Sequence, residues 1–368
     1  MARFFNIEML PARHGDCLWI EYGDDTQTNR ILIDGGPVST YDTLAKRVAQ
    51  VPSGERGCEL VMLTHVDADH VEGLVRLFAE KPLPFAVRKV WFNGWRQMNK
   101  SHRLLGPMQG EFLSALLVNR LGATAWNVDA PPWFVPASGS LPSVTLDGGM
   151  KLTLLSPNAA KLKAMASEWK KKVEQDGIEP GDLDAAWELL AKKKRFLPKN
   201  GLLGTTPNLD RILKRQFKID QAKANGSSIA VLAEYGDEPN VKRALLLADA
   251  HPDVVTASLK RLCAERGIQR LKVDAVKVSH HGSKANTSEA LLKLIDCPAY
   301  LISTNGDQFK HPDKQCLARL LKFGKPQTIH FNYNSKFTKP WIAKAAQTKY
   351  GYKASVRNTK AVSLVVKL

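Results

Sequence analysis

Four side chains able to bind a metal ion lie within six consecutive residues, and this cluster most constrains what the chain can fold into. His65, Asp67, Asp69 and His70 follow an apolar run at residues 60–63 and precede a helix-like apolar period that begins at Val71. A buried strand, a loop carrying the ligands and a helix are therefore predicted. Imidazole and carboxylate together suit a divalent metal ion that activates water. The alternative is a solvated loop in which Asp69 caps the helix.

Composition limits the classes of protein to consider. The 368 residues are enough for one large domain or two ordinary ones, and Lys and Arg exceed Asp and Glu by 53 to 36. The resulting net charge of +17 predicts attraction to polyanions such as nucleic acid, although solubility alone also explains it.

Location is predicted from the cysteines and the apolar windows. The five scattered cysteines show no paired spacing, which favours reduced thiols. There is no signal-peptide pattern and no apolar window of membrane-spanning length, so we expect a cytoplasmic protein without a membrane partner.

Apolar runs alternate with polar loops along most of the chain. Two segments interrupt this rhythm. The first, at 95–130 with His102 and Arg103, is polar and helix-prone and is interpreted as an insertion near the site, and the second, at 158–224, is charged. The second carries 15 basic and 9 acidic residues and predicts two helices, either as an amphipathic insertion or as a binding arm. Strands are predicted at 4–10, 17–22, 30–33, 87–92, 229–234, 242–247, 273–278 and 299–303, a hairpin at 144–155, and helices at 41–51, 71–79 and 289–294.

Several predicted strands end in polar residues, so the loops beyond them are expected to share one cleft. Asp34, Asp249, Asn305 and His311 follow such strands, as does the segment 279–283. Asp34 either caps a helix or orients a metal ligand. Asp249 either caps the helix before Pro252 or binds metal.

The ligands are sufficient for two metal ions. His65, Asp67, Asp69, His70, Asp249 and one of His280 or His281 make up the set, and the two oxygens of Asp249 can bridge both ions. Such a pair of ions can hold a hydroxide, lower its pKa and stabilise charge on an attacked phosphoryl or carbonyl oxygen. His281 has the alternative of hydrogen-bonding substrate or ligand.

Together these motifs resemble the metallo-β-lactamase fold superfamily, and within it the hydrolase domain of competence-type DNA-uptake channels (ComEC-like). The resemblance implies one α/β domain over 1–368, an αββα sandwich with helical insertions and a dinuclear zinc or manganese site at one edge. The matching segments are Leu32-Ile33-Asp34-Gly35-Gly36, His65-Val66-Asp67-Ala68-Asp69-His70, Asn225-Gly226-Ser227-Ser228, Leu247-Ala248-Asp249, Val278-Ser279-His280-His281-Gly282-Ser283 and His311-Pro312. The candidate catalytic residues are Asp69, Asp249 and His311, and the candidate substrate-binding residues are Asn225, Ser228, Ser283, Asn305 and His311.

Two departures from the superfamily pattern affect the metal. Asp67 replaces the second histidine, and no histidine lies between His102 and His251 to supply a further imidazole. Asn225 stands roughly where that ligand is expected. An oxygen-rich first site favours manganese or magnesium relative to zinc.

The carboxyl-terminal part of the domain, residues 310–368, is strongly basic. It has 13 basic residues and one acidic residue, Asp313, with aromatic residues interleaved. Basic groups can neutralise phosphates while aromatic rings stack on bases, although these rings also suit a core.

The leading hypothesis is a metal-dependent phosphodiesterase acting on nucleic acid, with Asn305 and His311 positioning the phosphate. The alternatives are a hydrolase of a cyclic nucleotide, thioester or lactone, and a non-catalytic nucleic-acid-binding protein with a degenerate metal site. Protein partners are not predicted.

Overall fold

A computed structural model describes residues 2–94, 98, 108–121, 126, 134–175 and 217–368. The strands are β1 (Phe4–Met9), β2 (Leu18–Gly23), β3 (Thr28–Ile33), β4 (Gly57–Leu63), β5 (Ala86–Phe92), β6 (Ser143–Thr145), β7 (Lys151–Ser156), β8 (Ala230–Tyr235), β9 (Lys242–Leu246), β10 (Leu271–Lys272), β11 (Ala275–Lys277), β12 (Ile295–Asp296), β13 (Ala299–Ile302), β14 (Thr328–Phe331), β15 (Lys353–Val356) and β16 (Leu364–Lys367). The helices are α1 (Tyr41–Ala49), α2 (Ala68–Ala79), α3 (Met108–Leu121), α4 (Ala159–Gln175), α5 (Lys223–Gly226), α6 (Pro252–Glu265), α7 (Glu289–Lys293), α8 (Lys314–Arg319), α9 (Lys339–Ile342) and α10 (Lys344–Tyr350).

Two sheets form the centre of the fold. The first sheet has the order β16-β1-β2-β3-β4-β5, and the second has the order β15-β14-β13-β11-β9-β8-β7-β6. In the first sheet β3, β4 and β5 are parallel, and in the second sheet the strands from β15 to β9 are parallel. Parallel neighbours end at the same edge, so each sheet delivers several loops to one place.

The apolar residues of β4 show why the sheets stack. Leu60 and Met62 point into the core between the sheets, whereas Val61 and Leu63 point to the opposite face. Successive strand residues face opposite sides, so a strand that is apolar throughout must be covered on both faces.

Helices cover the outer faces of both sheets. Residues of α1, α2, α3 and α4 join the outer cluster of the first sheet, and α6 packs on β7 of the second sheet. The predicted αββα sandwich with helical insertions is therefore confirmed.

Helix α2 corrects one predicted boundary. It begins at Ala68, not at residue 71, and Asp67 occupies the N-cap position without a side-chain capping bond. Asp69 therefore lies inside the first turn and does not cap the helix. Likewise His251, not Asp249, holds the cap position of α6.

The two predicted insertions are described in part. Helix α3 belongs to the segment 95–130, and α4 and α5 belong to the segment 158–224. His102, Arg103 and residues 176–216 lie outside the described residues.

Close backbone contacts fix α2 against the loop after β3. The Gly35 amide donates to the His70 carbonyl at 2.8 Å, and the Gly73 amide donates to the Gly36 carbonyl at 2.8 Å. A Cβ atom added at Gly73 would lie 2.0 Å from the Gly35 carbonyl oxygen. This contact sets the position of the first helical turn, which carries Asp69 and His70.

We expect Gly73→Ala to reduce the free energy of unfolding by about 3 kcal/mol, because backbone atoms on both sides must separate. Urea denaturation measures the loss. Gly54→Ala is the matched control, since a Cβ atom there has nothing within 4 Å. Equal stability of the two variants would contradict this packing.

Candidate metal centre

Three strand ends bring the predicted ligands together. His65 follows β4 of the first sheet, Asp249 follows β9 of the second, and His280 and His281 follow β11. Asp67, Asp69 and His70 complete the set from the start of α2. We call these seven residues the metal cluster.

Four imidazoles face one oxygen of Asp249. The distance from Asp249 Oδ2 is 4.0 Å to His65 Nε2 and 3.6 Å to each Nε2 atom of His70, His280 and His281. Both histidines of the His280-His281 pair therefore point into the cluster.

The two other carboxylates lie on different sides of the cluster. Asp67 Oδ2 is 3.7 Å from His65 Nε2, whereas Asp69 Oδ2 is 3.7 Å from His281 Nε2. The ligand atoms of His65, His70 and Asp249 lie within 4.8 Å of one another, and so do those of Asp69, His70 and His281. A third group, formed by Asp16, Asp249 and His281, shares residues with both, and the binding of two ions stays a prediction.

Backbone strain marks the cluster. Asp34, Ala248, His280 and His281 all have positive φ angles, at 59°, 46°, 47° and 52°. Residues other than glycine seldom adopt this conformation, and it costs about 1–3 kcal/mol per residue. At His280 and His281 it directs two adjacent imidazoles to the same carboxylate.

Asp34 orients two of the imidazoles. Its Oδ2 accepts a hydrogen bond from His70 Nδ1 at 2.8 Å and one from Thr64 Oγ1 at 2.8 Å. Because the Thr64 hydroxyl donates to Asp34, it can accept from His65 Nδ1, which lies 3.0 Å away. Both histidines then carry their proton on Nδ1 and present the Nε2 lone pair to a metal ion.

The second sheet supplies the corresponding partners of the other two imidazoles. His281 Nδ1 donates to the Ser303 carbonyl at 3.0 Å. His280 Nδ1 lies 3.1 Å from Asp220 Oδ2 and 3.0 Å from Asn286 Oδ1. All four imidazoles are thus held by their Nδ1 atoms, and their Nε2 atoms face the interior of the cluster.

The chemistry of these donors fits divalent metal ions. His65 Nε2 and Asp249 Oδ1 are buried and have no hydrogen-bond partner among the described residues. His70 Nε2 and His281 Nε2 lie 3.3 Å apart, so both nitrogens are directed to the same space. The donor set is mixed imidazole and carboxylate, which suits zinc or manganese.

The charges in the metal cluster also favour the exchange of a bound proton for a metal cation. Burial alone would raise the pKa of Asp249, but His281, His280 and His70 lower it well below its usual range. Burial would lower the pKa of His280, but Asp249 and Asp220 raise it to about 9. Metal binding at neutral pH must therefore displace a proton, so apparent metal affinity rises with pH.

A buried ion pair lies behind His281. Lys277 Nζ donates to Asp16 Oδ2 at 2.6 Å, both side chains are at most 2% exposed, and Asp16 Oδ1 is 3.5 Å from His281 Nδ1. Burial would raise the pKa of Asp16, but Lys277 and His281 hold it below its usual range. Asp16 contacts the outer nitrogen of His281, so it positions that ligand.

The predicted substrate-binding residues lie at different depths. Asn225 and Ser228 are buried, and the Asn225 amide donates to Asp220 at 2.8 Å behind His280. The amide of Ser283 donates to the His280 carbonyl at 2.8 Å. Their predicted contact with substrate stays a prediction.

Asn305 is half-buried, and His311 is buried beside His280. The Asn305 amide proton goes to the Arg13 carbonyl at 2.7 Å, and the His311 ring stands edge-on to His280 with centroids 5.2 Å apart. Burial lowers the pKa of His311, which keeps this imidazole neutral near pH 7.

Sequence reasoning missed several residues around the cluster. Lys277 gave a usable signal, since a lysine inside an apolar strand requires a buried acidic partner. Asp220 and Asn286 gave none, because their role depends on loops that meet only in the folded chain.

A large cavity lies away from the metal cluster. It has a volume of about 660 Å³ and is lined by Glu234, Arg243 and Arg266. It lies at the opposite ends of β8 and β9 from Asp249, and its arginines already pair with Glu234.

Comparisons with known proteins give structural similarity without sequence similarity. No family model and no curated protein matches the chain. The metallo-β-lactamase fold protein YhfI from Bacillus subtilis is 10% identical, with full coverage of both chains and a TM-score of 0.41. A diphosphatase from the PhnP family is 13% identical, covering 99% of this chain and 97% of that one, with a TM-score of 0.33. MEM-A1, a subclass B3 metallo-β-lactamase from a soil metagenome library, is 11% identical over 75% of this chain and 79% of that one, with a TM-score of 0.30.

These similarities carry no argument about activity. The αββα arrangement is established by the two sheets and their helices, and the candidate metal centre by its own geometry. Within the described residues, no helix is both long enough and apolar enough to cross a lipid bilayer.

We expect Asp34→Asn to weaken metal affinity about 10- to 100-fold, because asparagine has one acceptor oxygen where two are used. Competition with a chromogenic chelator measures the affinity. Asp42→Asn, on the exposed side of α1, is the control. Unchanged affinity in Asp34→Asn would show that Asp34 does not orient the ligands.

We expect Lys277→Met to reduce the free energy of unfolding by about 3–5 kcal/mol at pH 7, because the Asp16 carboxylate is left buried without a cation. In the native protein the pKa of Asp16 lies below its ordinary value of 3.8, so this residue stabilises the fold above that pH and ceases to do so as pH falls. In the variant the pKa of Asp16 rises, so the deficit should shrink between pH 7 and pH 4. Denaturation at both pH values, beside exposed Lys272→Met, measures this; a deficit independent of pH would contradict it.

Proposed function

We propose that this chain is a metal-dependent phosphodiesterase of the metallo-β-lactamase superfamily that acts on nucleic acid, related to the ComEC-like hydrolase domain. One observation carries the hydrolase part of the proposal. Four imidazole Nε2 atoms lie within 4.0 Å of one buried oxygen of Asp249. Four imidazole nitrogens that converge on one buried carboxylate are typical of a metal site and not of a structural core.

Two divalent ions, zinc or manganese, are the cofactors we propose. His65 and Asp67 would hold one ion, Asp69, His70 and His281 would hold the other, and Asp249 would contact both. The three imidazoles among these ligands make magnesium the least suited of the metals considered. When bound, the ions supply an activated water and positive charge for an attacked phosphoryl group.

The protein side chains would orient the metal ligands and bind the substrate phosphate. Asp34, Ser303 and Asp220 hold the imidazoles by their outer nitrogens, which limits the reorganisation needed during reaction. His311, neutral and edge-on to His280, would accept or donate a hydrogen bond at the substrate phosphate.

Charge supports a polyanionic substrate. Ten lysines of residues 310–368 are exposed, and none of them forms an ion pair within the described parts of the chain. In contrast, Phe331, Trp341 and Tyr352 of this region are buried. Most of the interleaved aromatic residues therefore serve the core, and the support for nucleic acid comes from the lysines.

A cytoplasmic location is also part of the proposal. All five cysteines are buried and free, as expected in a reducing compartment.

Hydrolysis of labelled single- and double-stranded DNA and RNA, with manganese, zinc or magnesium added, tests the activity. We expect cleavage by the native protein and none by Asp249→Ala, with Asp42→Ala as the control. When a protein binds the phosphates of a polynucleotide, counterions are released. KM should therefore rise steeply with salt for a polynucleotide and little for a cyclic nucleotide.

Other results would contradict the proposal in distinct ways. Turnover of only a cyclic nucleotide, thioester or lactone would indicate a small-molecule hydrolase. Nucleic-acid binding without turnover under any metal would indicate a binding protein with an inactive centre.

A further inference from the structure

One aromatic side chain is exposed at the mouth of the metal centre. Phe309 is 45% exposed, and it is the only aromatic residue among the exposed large hydrophobic side chains of the described chain. The rings of His14 and Phe309 meet edge-on with centroids 5.8 Å apart. Those of Phe309 and His311 lie 6.2 Å apart at 27°. We call these three residues the aromatic row.

The aromatic row extends between two sides of the metal cluster. His311 contacts His280, with ring centroids 5.2 Å apart. At the other end, His14 immediately precedes Gly15, whose position leaves no room for a Cβ atom against the Asp69 carbonyl. The Asp16 amide also donates to that carbonyl at 3.3 Å. A phosphate held at the cluster would therefore have the aromatic row beside it.

The turn that carries Phe309 is fixed at both ends. The Asn305 amide donates to the Arg13 carbonyl at 2.7 Å, and the Lys310 amide donates to the Gly306 carbonyl at 3.0 Å. Arg13 and Asp307 add an ion pair at 3.6 Å. Lys310 has a positive φ of 62°, a strained conformation that orients the residues next to it. The exposed face of Phe309 is thus held in place and is available to a ligand.

We infer that the aromatic row is a base-stacking subsite in which Phe309 supports the nucleobase next to the phosphate held at the metal centre. The inference rests on the proposed function and deepens it, because it assigns an unpaired nucleobase to the substrate. Stacking on an aromatic face tolerates every base and requires that the base be unstacked from its neighbours. Single-stranded nucleic acid, or a frayed end, fits this requirement.

The chemistry at the edges of Phe309 agrees with such a ligand. Exposed Lys310 follows it in sequence, and no ion pair of Lys310 occurs in the described chain. A cation beside an aromatic face suits a nucleotide, whose base stacks while its phosphate pairs with the cation.

The test compares two oligonucleotides of about ten nucleotides that carry the same charge, one of thymidine and one in which every base is replaced by an abasic spacer. Both have phosphorothioate links that resist hydrolysis, and binding is followed by fluorescence anisotropy with manganese present. We expect the native protein to bind the thymidine strand about tenfold more tightly than the abasic strand.

Substitutions at Phe309 distinguish the effect of its aromatic ring from the effect of its apolar volume. Phe309→Ala and Phe309→Leu should both remove the preference for bases while leaving the affinity for the abasic strand unchanged, and Phe309→Trp should keep the preference. Ile268→Ala, which shortens another exposed apolar side chain, is the control and should behave as the native protein.

The inference is overturned if Phe309→Leu retains the full preference, or if the native protein binds both strands equally. These outcomes are independent of catalysis. The proposed function fails separately if the native protein cleaves no ordinary phosphodiester, whatever its preference for bases.

Discussion

The buried carboxylate of Asp249 is the group on which the rest of this structure depends. Burying a charge costs several kcal/mol unless other groups compensate it. Here four imidazoles compensate the charge. His65 and His70 lie on the side of the first sheet, and His280 and His281 lie on the side of the second. Each imidazole is in turn held by an outer partner. The two sheets therefore meet at this edge through a polar network, whereas Leu60 and Met62 lie in the apolar core between them.

The same edge concentrates the structure's strain. Left-handed backbone at Ala248, His280 and His281 lies immediately beside the ligands, and the Asp16–Lys277 ion pair lies behind them. Backbone strain and buried ion pairs destabilise a fold unless the surrounding residues hold them in place. Both are common at functional sites. In this chain the His280 amide donates to the Ala248 carbonyl at 2.8 Å, and His281 Nδ1 donates to the Ser303 carbonyl at 3.0 Å. Stability and ligand orientation thus come from shared contacts.

The sandwich was predicted through a resemblance to a known superfamily, and the sequence predicted that the candidate ligands share one cleft. It did not predict the residues behind them. Short-range information was sufficient for β4 and for the cluster from His65 to His70, because an apolar run and four ligands are adjacent in the chain. The start of α2 was wrong by three residues, since capping by Asp67 involves no side-chain bond that a pattern could reveal. Asp220 could not be found, because it reaches His280 across 60 residues of sequence. The aromatic residues of the carboxyl-terminal part suited either a binding surface or a core, and Phe331 and Trp341 are core. Burial depends on tertiary packing, which composition alone does not show.

Anomalous X-ray scattering from crystals grown with manganese or zinc tests the central claim most directly. The account predicts two anomalous peaks next to the Asp249 carboxylate, one shared with His65 and Asp67 and the other with Asp69, His70 and His281. Crystals that bind metal only elsewhere, or that show no peak at Asp249, would contradict it.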